Sequence, residues 1–345
     1  MAVTIKDVAK AAKVSIATVS RALNGFENVT EETRRHVCAV ALRLGYIPHE
    51  GARSLSSRRT RCVGAVLPDL YGEFFSELIR GIDRVARAQG LHLLLSCSHG
   101  DVAEVTAALR AMRGRVDGLL VMSPHVDSEL LGKNLHPTMP TVLMNTRDGA
   151  DRYSSLVVDN YGGACAMVRH LVGRGHRRIA MIAGPEANFD ARERLAGYTD
   201  TLAELLPKAR AQVLRGDFTE ESGYRAGRQL VSMSERPDAI FAANDMMAIG
   251  CLFALNEGRL AVPGDIALAG FDDIPIARYV SPPLTTVRVR IAELGELALE
   301  RLMLAISEAG HDKHSIQRLR TELVVRSSCA RQQAALVAVP PKGKR

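Results

Sequence analysis

The chain has 345 residues, 47% of them hydrophobic and 24% charged, with a formal net charge of +7. This is more than one typical domain with ample material for a large core, and no apolar run approaches the ~20 residues needed to cross a membrane. The opening MAVTIKDVAK lacks the apolar stretch of a secretory signal, so a cytoplasmic protein is expected, and Cys38, Cys62, Cys97, Cys165, Cys251 and Cys329 stand apart with no C-x-x-C pair, so free thiols without metal, cofactor or disulfide are expected.

Residues 4 to 25, TIKDVAKAAKVSIATVSRALNG, read as two short amphipathic helices around a tight turn. Ile5, Val8, Ala9 and Ala12 fall at i, i+3, i+4 and i+7, one face of a helical period. Thr4 suits the N-cap, its hydroxyl placed to accept the Asp7 amide while the Asp7 carboxylate answers the Thr4 backbone. Lys13 and Val14 then form the turn. Ser15 caps a second helix from Ile16 to Asn24, which turns Val19 and Leu23 inward, presents small and polar residues and Arg21 outward, and stops at Gly25. A third helix starts after Thr30, with Glu31 and Glu32 at its positive end and Val37, Val40, Ala41 and Leu44 as its buried stripe, and ends at Gly45. The basic excess belongs to this segment. Residues 1 to 61 carry 11 Lys and Arg against 5 Asp and Glu, and the remaining residues 34 against 33. Local positive charge on a helix-turn-helix is the footprint of a phosphate-backbone binder.

After the third helix comes GYIPHEGARSLSSRRTR, which by composition alone reads as a flexible basic linker, since any helix over Glu50 to Ser56 is marginal at barely two turns. From Cys62 onward apolar runs alternate with helical patterns: Val63 to Leu67, a helix from Glu73, Leu91 to Leu95, a helix from Val102, Gly118 to Met122, and Thr141 to Met144. After Leu156 to Asp159 the rhythm restarts, with strands expected over Ile179 to Ile182, Ala211 to Leu214, Ala239 to Ala242 and Ile266 to Ala269. The alternation predicts two similar α/β lobes, each a parallel sheet wrapped by helices, with ligands bound at the carboxyl ends of the strands.

Polar residues sit at those ends. Asp69 follows the first strand, Asn145 the fourth, Asn244 and Asp245 follow AIFAA, and Asp272 and Asp273 follow IALAGF. Asp245 and Asp273 suit helix capping and ligand contact equally; Asn244 and Asp272 suit ligand contact better. Arg192 and Arg194 lie near the start of a helix, one expected to pair with a carboxylate across the cleft and the other to hold a ligand hydroxyl or acid.

TIKDVA, VSIATVSRALNG, LGYIPHEGARSL, VDGLLV, GHRRIAMIAG, RERLAGY, AIFAANDMMAIG, IALAGFDD and PPLTTV occur in the order and at the separations found in the LacI/GalR family of transcriptional regulators. The chain resembles that family from Thr4 to about Val325. The resemblance implies a fold of class α/β: an all-α helix-turn-helix headpiece over 1–48, a hinge helix and linker over 49–61, and a two-lobed periplasmic-binding-protein-like core of parallel sheets over 62–330. One lobe would hold 62–160 plus 291–320 and the other 161–290 plus 321–330, and 331–345 would be a disordered tail.

The resemblance also implies roles. Ile16, Ala17 and Arg21 match positions that read the major groove, Arg21 at a guanine edge and the apolar pair at thymine methyls. Thr4, Ser15, Thr18, Ser20 and Asn24 match positions that contact phosphate and set register. It reverses the linker reading, because Ala52, Arg53, Ser54 and Leu55, with Ser56 beside them, match a hinge helix that folds in the minor groove, where Leu55 would wedge into a central CG step. His49 departs from the Asn that many members carry after the proline. In the core, Phe74 and Phe75 match a loop lining the cleft, Phe218 an aromatic wall, and Arg194, Asn244 and Asp272 the polar contacts of sugar-responsive members; Val289 departs from a frequent Gln.

A homodimer on a near-palindromic double-stranded operator, controlled by a small-molecule effector, is therefore expected, most often as a repressor released by its ligand. A sugar or sugar acid is the expected effector, against the alternative of a purine- or other metabolite-responsive corepressor in which the same Phe and Arg set stacks and clamps a nucleobase. The dimer surface is expected along the core lobes. The helix around Leu297 to Ile306 is one candidate for it, though its stripe serves an ordinary core equally well. The tail AALVAVPPKGKR shows no leucine heptad. A solute-binding protein would share the core but carry a secretory signal in place of residues 1 to 61. An enzyme is not expected, since G-x-x-x-x-G-K-[ST], H-E-x-x-H and G-x-S-x-G motifs are all absent.

Overall fold

The computed structural model describes residues 3–24, 28–46, 59–126, 128–146, 153–307 and 315–329. The hinge positions Ala52, Arg53, Ser54, Leu55 and Ser56 and the tail 331–345 lie outside the described residues. The chain divides into two compact units, Met1–Thr60 and Arg61–Arg345.

The first unit is built on three helices: α1 over Ile5–Ala12, α2 over Ile16–Leu23 and α3 over Glu31–Leu44. Its fully buried set is Val8, Ala9, Ala12, Val19, Ala22, Val37, Val40 and Ala41, small side chains that let three short helices approach closely. The ends are set by local chemistry. The Asp7 carboxylate takes the Thr4 amide at 2.9 Å and the Thr4 hydroxyl at 2.8 Å, so that hydroxyl donates to the carboxylate, and the Asp7 amide goes to the Thr4 carbonyl. These bonds hold the Asp7 carboxyl below its ordinary pKa. Lys13 stops α1 with a left-handed backbone at φ 54°, and the Ser15 hydroxyl accepts the Thr18 amide at 3.1 Å to open α2. Thr30 caps α3 in the same way, and Gly45, at φ 64°, ends it.

The second unit holds two parallel sheets. The six-stranded sheet uses β1 (Cys62–Leu67), β2 (His92–Cys97), β3 (Gly118–Met122), β4 (Thr141–Met144), β5 (Ser154–Val158) and a late strand, β11 (Ile316–Leu319), in the order β11-β5-β4-β3-β1-β2. The four-stranded sheet uses β6 (Ile179–Ala183), β7 (Gln212–Arg215), β8 (Ala239–Ala242) and β9 (Ala267–Ala269) in the order β7-β6-β8-β9. A short antiparallel ribbon joins β10 (Thr286–Arg288) to β12 (Glu322–Val324). The central strands β3, β4, β6 and β8 are buried along their whole length, which is why they read as unbroken apolar runs. The chain passes from the first sheet to the second after β5 and returns before helix Ile291–Ser307 and β11.

The helices between strands are α4 (Glu73–Ala88), α5 (Val102–Met112), α6 (Ser128–Asn134), α7 (Asn160–Gly173), α8 (Phe189–Leu205), α9 (Glu220–Ser232), α10 (Asp245–Glu257) and α11 (Ile291–Ser307). Helices α4 and α11 touch backbone to backbone: a Cβ on Gly81 would lie 2.0 Å from the Ala292 carbonyl oxygen, and one on Gly295 would lie 2.4 Å from that of Leu78. Leu294, Ala298, Leu299 and Leu302 of α11 are buried, so its main apolar stripe is core. Strands β10, β11 and β12 and helix α6 stand outside the alternation read from the sequence, being three to seven residues long and too short to show a period.

Candidate functional site

The outward face of α2 is the first candidate. Its N-cap Ser15 is exposed, as are Ile16, Ala17 and Arg21, while Thr18 and Ser20 are half-buried beside them. Ile16 is 45% exposed, an apolar side chain left at the start of a helix whose other large aliphatics, Val19 and Leu23, turn inward. Thr4, at the start of α1, is also exposed; Asn24 closes α2 with its amide directed to the Ser20 hydroxyl at 3.4 Å. A short helix that presents one methyl-rich corner, several hydroxyls and a guanidinium is shaped for a major groove.

The second candidate is a cleft of about 710 Å³, measured out to open solvent, at the carboxyl ends of both sheets. Several strand ends deliver side chains to it. Asp69 comes from the end of β1, Asp217 and Phe218 from β7, Asn244 from β8 and Asp272 from β9, while Asn188 caps α8 and Asp190 lies in its first turn. Both sheets reverse their winding direction here, the first at β1 and the second at β6, which leaves a crevice where successive crossovers diverge. Phe74 and Phe75, in the first turn of α4, line the opposite wall edge to face, with ring centroids 5.4 Å apart.

Arg194 is the cleft's cation, and each of its three nitrogens has one partner. Its Nε donates to Asn160 Oδ1 at 2.8 Å and its Nη1 to the Ala243 carbonyl at 2.5 Å, while Nη2 meets Asp272 Oδ1 at 3.0 Å. Its guanidinium carbon lies 3.9 Å from the Phe271 ring centroid and 5.8 Å from that of Phe218. Asp190 accepts from Asn145 Nδ2 at 3.0 Å and Asn160 Nδ2 at 2.8 Å. Burial raises the pKa of both Asp190 and Asp272 to about 6, with the Arg194 charge opposing the rise. Phe218 holds φ at 72° and Asp272 at 109°, conformations that bulky or ordinary residues adopt only where surroundings enforce them. A Cβ on Gly184 would lie 2.5 Å from the Phe218 ring, so that glycine makes room for the aromatic wall.

Seven of the nine effector positions read from the sequence line this cleft: Asp69, Phe74, Phe75, Arg194, Phe218, Asn244 and Asp272. Asn145 and Arg192 are outside its described lining. Asn145 is buried and spends its amide on Asp190 and its oxygen on the Val158 amide at 3.2 Å, joining β4 and β5 to α8. Arg192 is exposed and donates to the carbonyls of Glu186 and Ala187, both at 3.1 Å, steadying the loop before its own helix. Asn244 lines the cleft but is also the N-cap of α10, accepting from the Met247 amide at 2.9 Å. Asp245 is buried, taking the Thr286 hydroxyl at 2.6 Å and the Ile274 amide at 3.0 Å. Asp273 neither caps a helix nor lines the cleft; it pairs with Arg288 at 2.7 Å and Arg326 at 2.5 Å. Asn188, Asp190 and Asp217 were missed; the strand-end rule selects Asp217, just past β7, whereas Asn188 and Asp190 belong to the cap and first turn of α8.

A model of bacterial regulatory proteins of the lacI family matches residues 4–49, and a periplasmic binding protein-like domain matches residues 168–329. The HTH-type transcriptional repressor PurR of Klebsiella pneumoniae subsp. pneumoniae is 37% identical over 331 residues, covering 95% of this chain and 97% of that protein, and PurR of Escherichia coli O1:K1 / APEC matches to the same extent. The lac repressor dimer bound to operator and the anti-inducer ONPF superposes with a TM-score of 0.85 at 29% identity, covering 95% of this chain and 99% of that one. The transcriptional regulator CelR in complex with cellobiose superposes with a TM-score of 0.70 at 30% identity, over 94% and 99% of the two chains. The chain belongs to the LacI family of DNA-binding transcriptional repressors; it is a regulator and not an enzyme. Among the described residues, no helix is long and apolar enough to cross a membrane.

Proposed function

We propose that this protein is a homodimeric repressor that binds a near-palindromic operator and is controlled by a small molecule seated in the cleft between the two sheets. The observation that carries the ligand reading is the cleft itself, where strand ends converge on fixed polar groups opposite Phe74 and Phe75. In this reading α2 reads base edges through Ile16, Ala17 and Arg21, and Thr4, Ser15, Thr18, Ser20 and Asn24 hold phosphates. Arg53, Leu55 and Ser56 belong to the hinge that enters the minor groove, at a central CG step. Ligand binding changes how the lobes close, and the dimer passes that change to the hinges.

A sugar is the effector class the lining favours. Aromatic rings suit the apolar face of a pyranose, and Asp69, Asp190, Asp217 and Asp272 offer acceptors to hydroxyl donors. A nucleobase is the second reading, favoured by the identity to repressors named PurR. Thermal unfolding of the purified protein against neutral sugars and free purines separates the two, because a ligand of the folded state raises Tm by mass action. Stabilisation by a sugar alone is the expected outcome; stabilisation by a purine alone transfers the site to the second reading.

A further inference from the structure

Four carboxylates line the cleft, Asp69, Asp190, Asp217 and Asp272, against a single cation, Arg194, and the described lining has no lysine and no histidine. That cation is already committed. Asn160, the Ala243 carbonyl and Asp272 each face one of its three nitrogens, Asp272 offsets its charge, and Phe271 covers one face of it. An incoming carboxylate or phosphate would meet four carboxylates and a guanidinium whose charge the buried Asp272 already offsets.

The acceptors, by contrast, have capacity left. No donor among the described residues reaches Oδ2 of Asp272, and Oδ2 of Asp69 is likewise without one, since its Oδ1 takes the amides of Leu70 and Tyr71 at 2.7 and 3.0 Å. Asp190 accepts one amide hydrogen on each oxygen and so keeps a second lone pair on both. Asp217 takes the Thr219 amide at 3.0 Å and the Thr219 hydroxyl at 2.5 Å on Oδ1, and is half-exposed at the rim, where Arg225 stands 3.5 Å from its Oδ2. Charge and hydrogen-bond capacity thus agree: the cleft sets four carboxylates, with acceptor capacity to spare, against one guanidinium that already faces one of them.

We infer that the cleft selects its effector by charge, admitting a hydroxyl- or amine-bearing molecule without negative charge and rejecting the corresponding acid, with Asp190 and Asp272 as the residues that enforce the choice. This rests on the sugar reading above and narrows it, removing sugar acids and phosphorylated sugars from the class. It also assigns Arg194 a role different from an acid clamp: it holds Asp272 in place so that the outward oxygen meets a ligand hydroxyl or ammonium.

The test uses the full-length protein and matched triplets on one carbon skeleton: glucose, glucosamine and glucuronate, and galactose, galactosamine and galacturonate, with adenine and hypoxanthine beside them. Binding is read by thermal shift and then by calorimetry at pH 7.5. The expected result is binding by the neutral or amine member of a triplet, with the acid weaker by at least about 30-fold, as like-charge contacts at short range demand. An acid that binds as tightly as its neutral partner overturns the charge rule and leaves the sugar reading standing. Binding by the nucleobases alone overturns the sugar reading, and silence across the whole panel overturns both. Two variants check the residues. Asp272→Asn leaves Arg194 Nη2 without its anion and should bring the acid to within about 3-fold of the neutral ligand. Because that buried change risks the fold, Asp217→Asn at the half-exposed rim is made beside it and should weaken the exclusion without abolishing it; unchanged discrimination in both folded variants would show that these carboxylates do not set it.

Discussion

At the scale of single residues the structure's most telling feature is a buried cluster with more carboxylates than it can neutralise. Asp190 and Asp272 are raised to about 6 chiefly by burial, while the unfolded chain holds them near 3.8. The folded protein therefore takes up these protons more readily than the unfolded one. Their cost to stability is fully present above pH 6 and is relieved as the pH falls through 6 toward 4, by up to about 3 kcal/mol for each group at ~1.4 kcal/mol per unit. Asp190→Asn removes one such group while keeping its shape, so Tm measured at pH 7.5, 6.5 and 5.5 should vary less in the variant than in the parent. Equal slopes would mean that Asp190 is solvated in solution and carries no proton of its own in this range. Little of this was legible in the sequence. Asp272 and Arg194 stood out by position and by resemblance, but the partner of Asn145 depends on a contact between residues 45 apart, and no local pattern announces it. Arg192 was misplaced for a related reason. Two residues apart on a helix, Arg192 and Arg194 point in different directions, and only packing decides which one faces the cleft.

At the scale of elements, the sequence was informative wherever an element carries its own period and its own caps. Strands β3, β4 and β8 have the bounds read from their apolar runs, and α3 runs between the Thr30 and Gly45 that mark its ends. The short ribbon strands and β11 were not legible, because Arg288, Arg318 and Glu322 interrupt any alternation and their pairing is set by the chain's return to the first lobe. Helix α2 belongs with the legible elements, and the role proposed for it makes a sharp expectation. Arg21 is exposed and Ile16 stands beside it without cover, so an Arg21→Ala change should leave the headpiece fold intact and weaken specific operator binding by ~1 to 3 kcal/mol, with relaxed preference at one base of each half-site. Binding to an operator selected from random DNA, compared with binding to its single-base variants, reads this directly. A uniform loss across all sequences would reassign Arg21 to a phosphate.

For the whole molecule, charge and architecture divide the work. Residues 1 to 61 hold 11 Lys and Arg against 5 Asp and Glu, while the rest of the chain, at 34 against 33, is nearly neutral. Operator affinity should consequently fall steeply with salt, by about 10³ to 10⁵ between 50 and 200 mM if 6 to 10 phosphates are neutralised, whereas an uncharged effector should bind almost independently of salt. That difference gives the coupling a clean measurement. At a salt concentration where operator binding is moderate, saturating effector should change operator affinity by a factor worth ~1 to 3 kcal/mol, and by linkage saturating operator must change effector affinity by the same factor. Calorimetry of effector binding to the free protein and to the operator complex, set against operator titrations with and without effector, closes the cycle. Linkage requires the two factors to be equal, so a factor of one in both directions would show that cleft and operator site are uncoupled. If effector alters operator affinity only at low protein concentration, the ligand acts on assembly of the dimer and not on its conformation, and the cleft then controls how many headpiece pairs exist instead of how each pair is held.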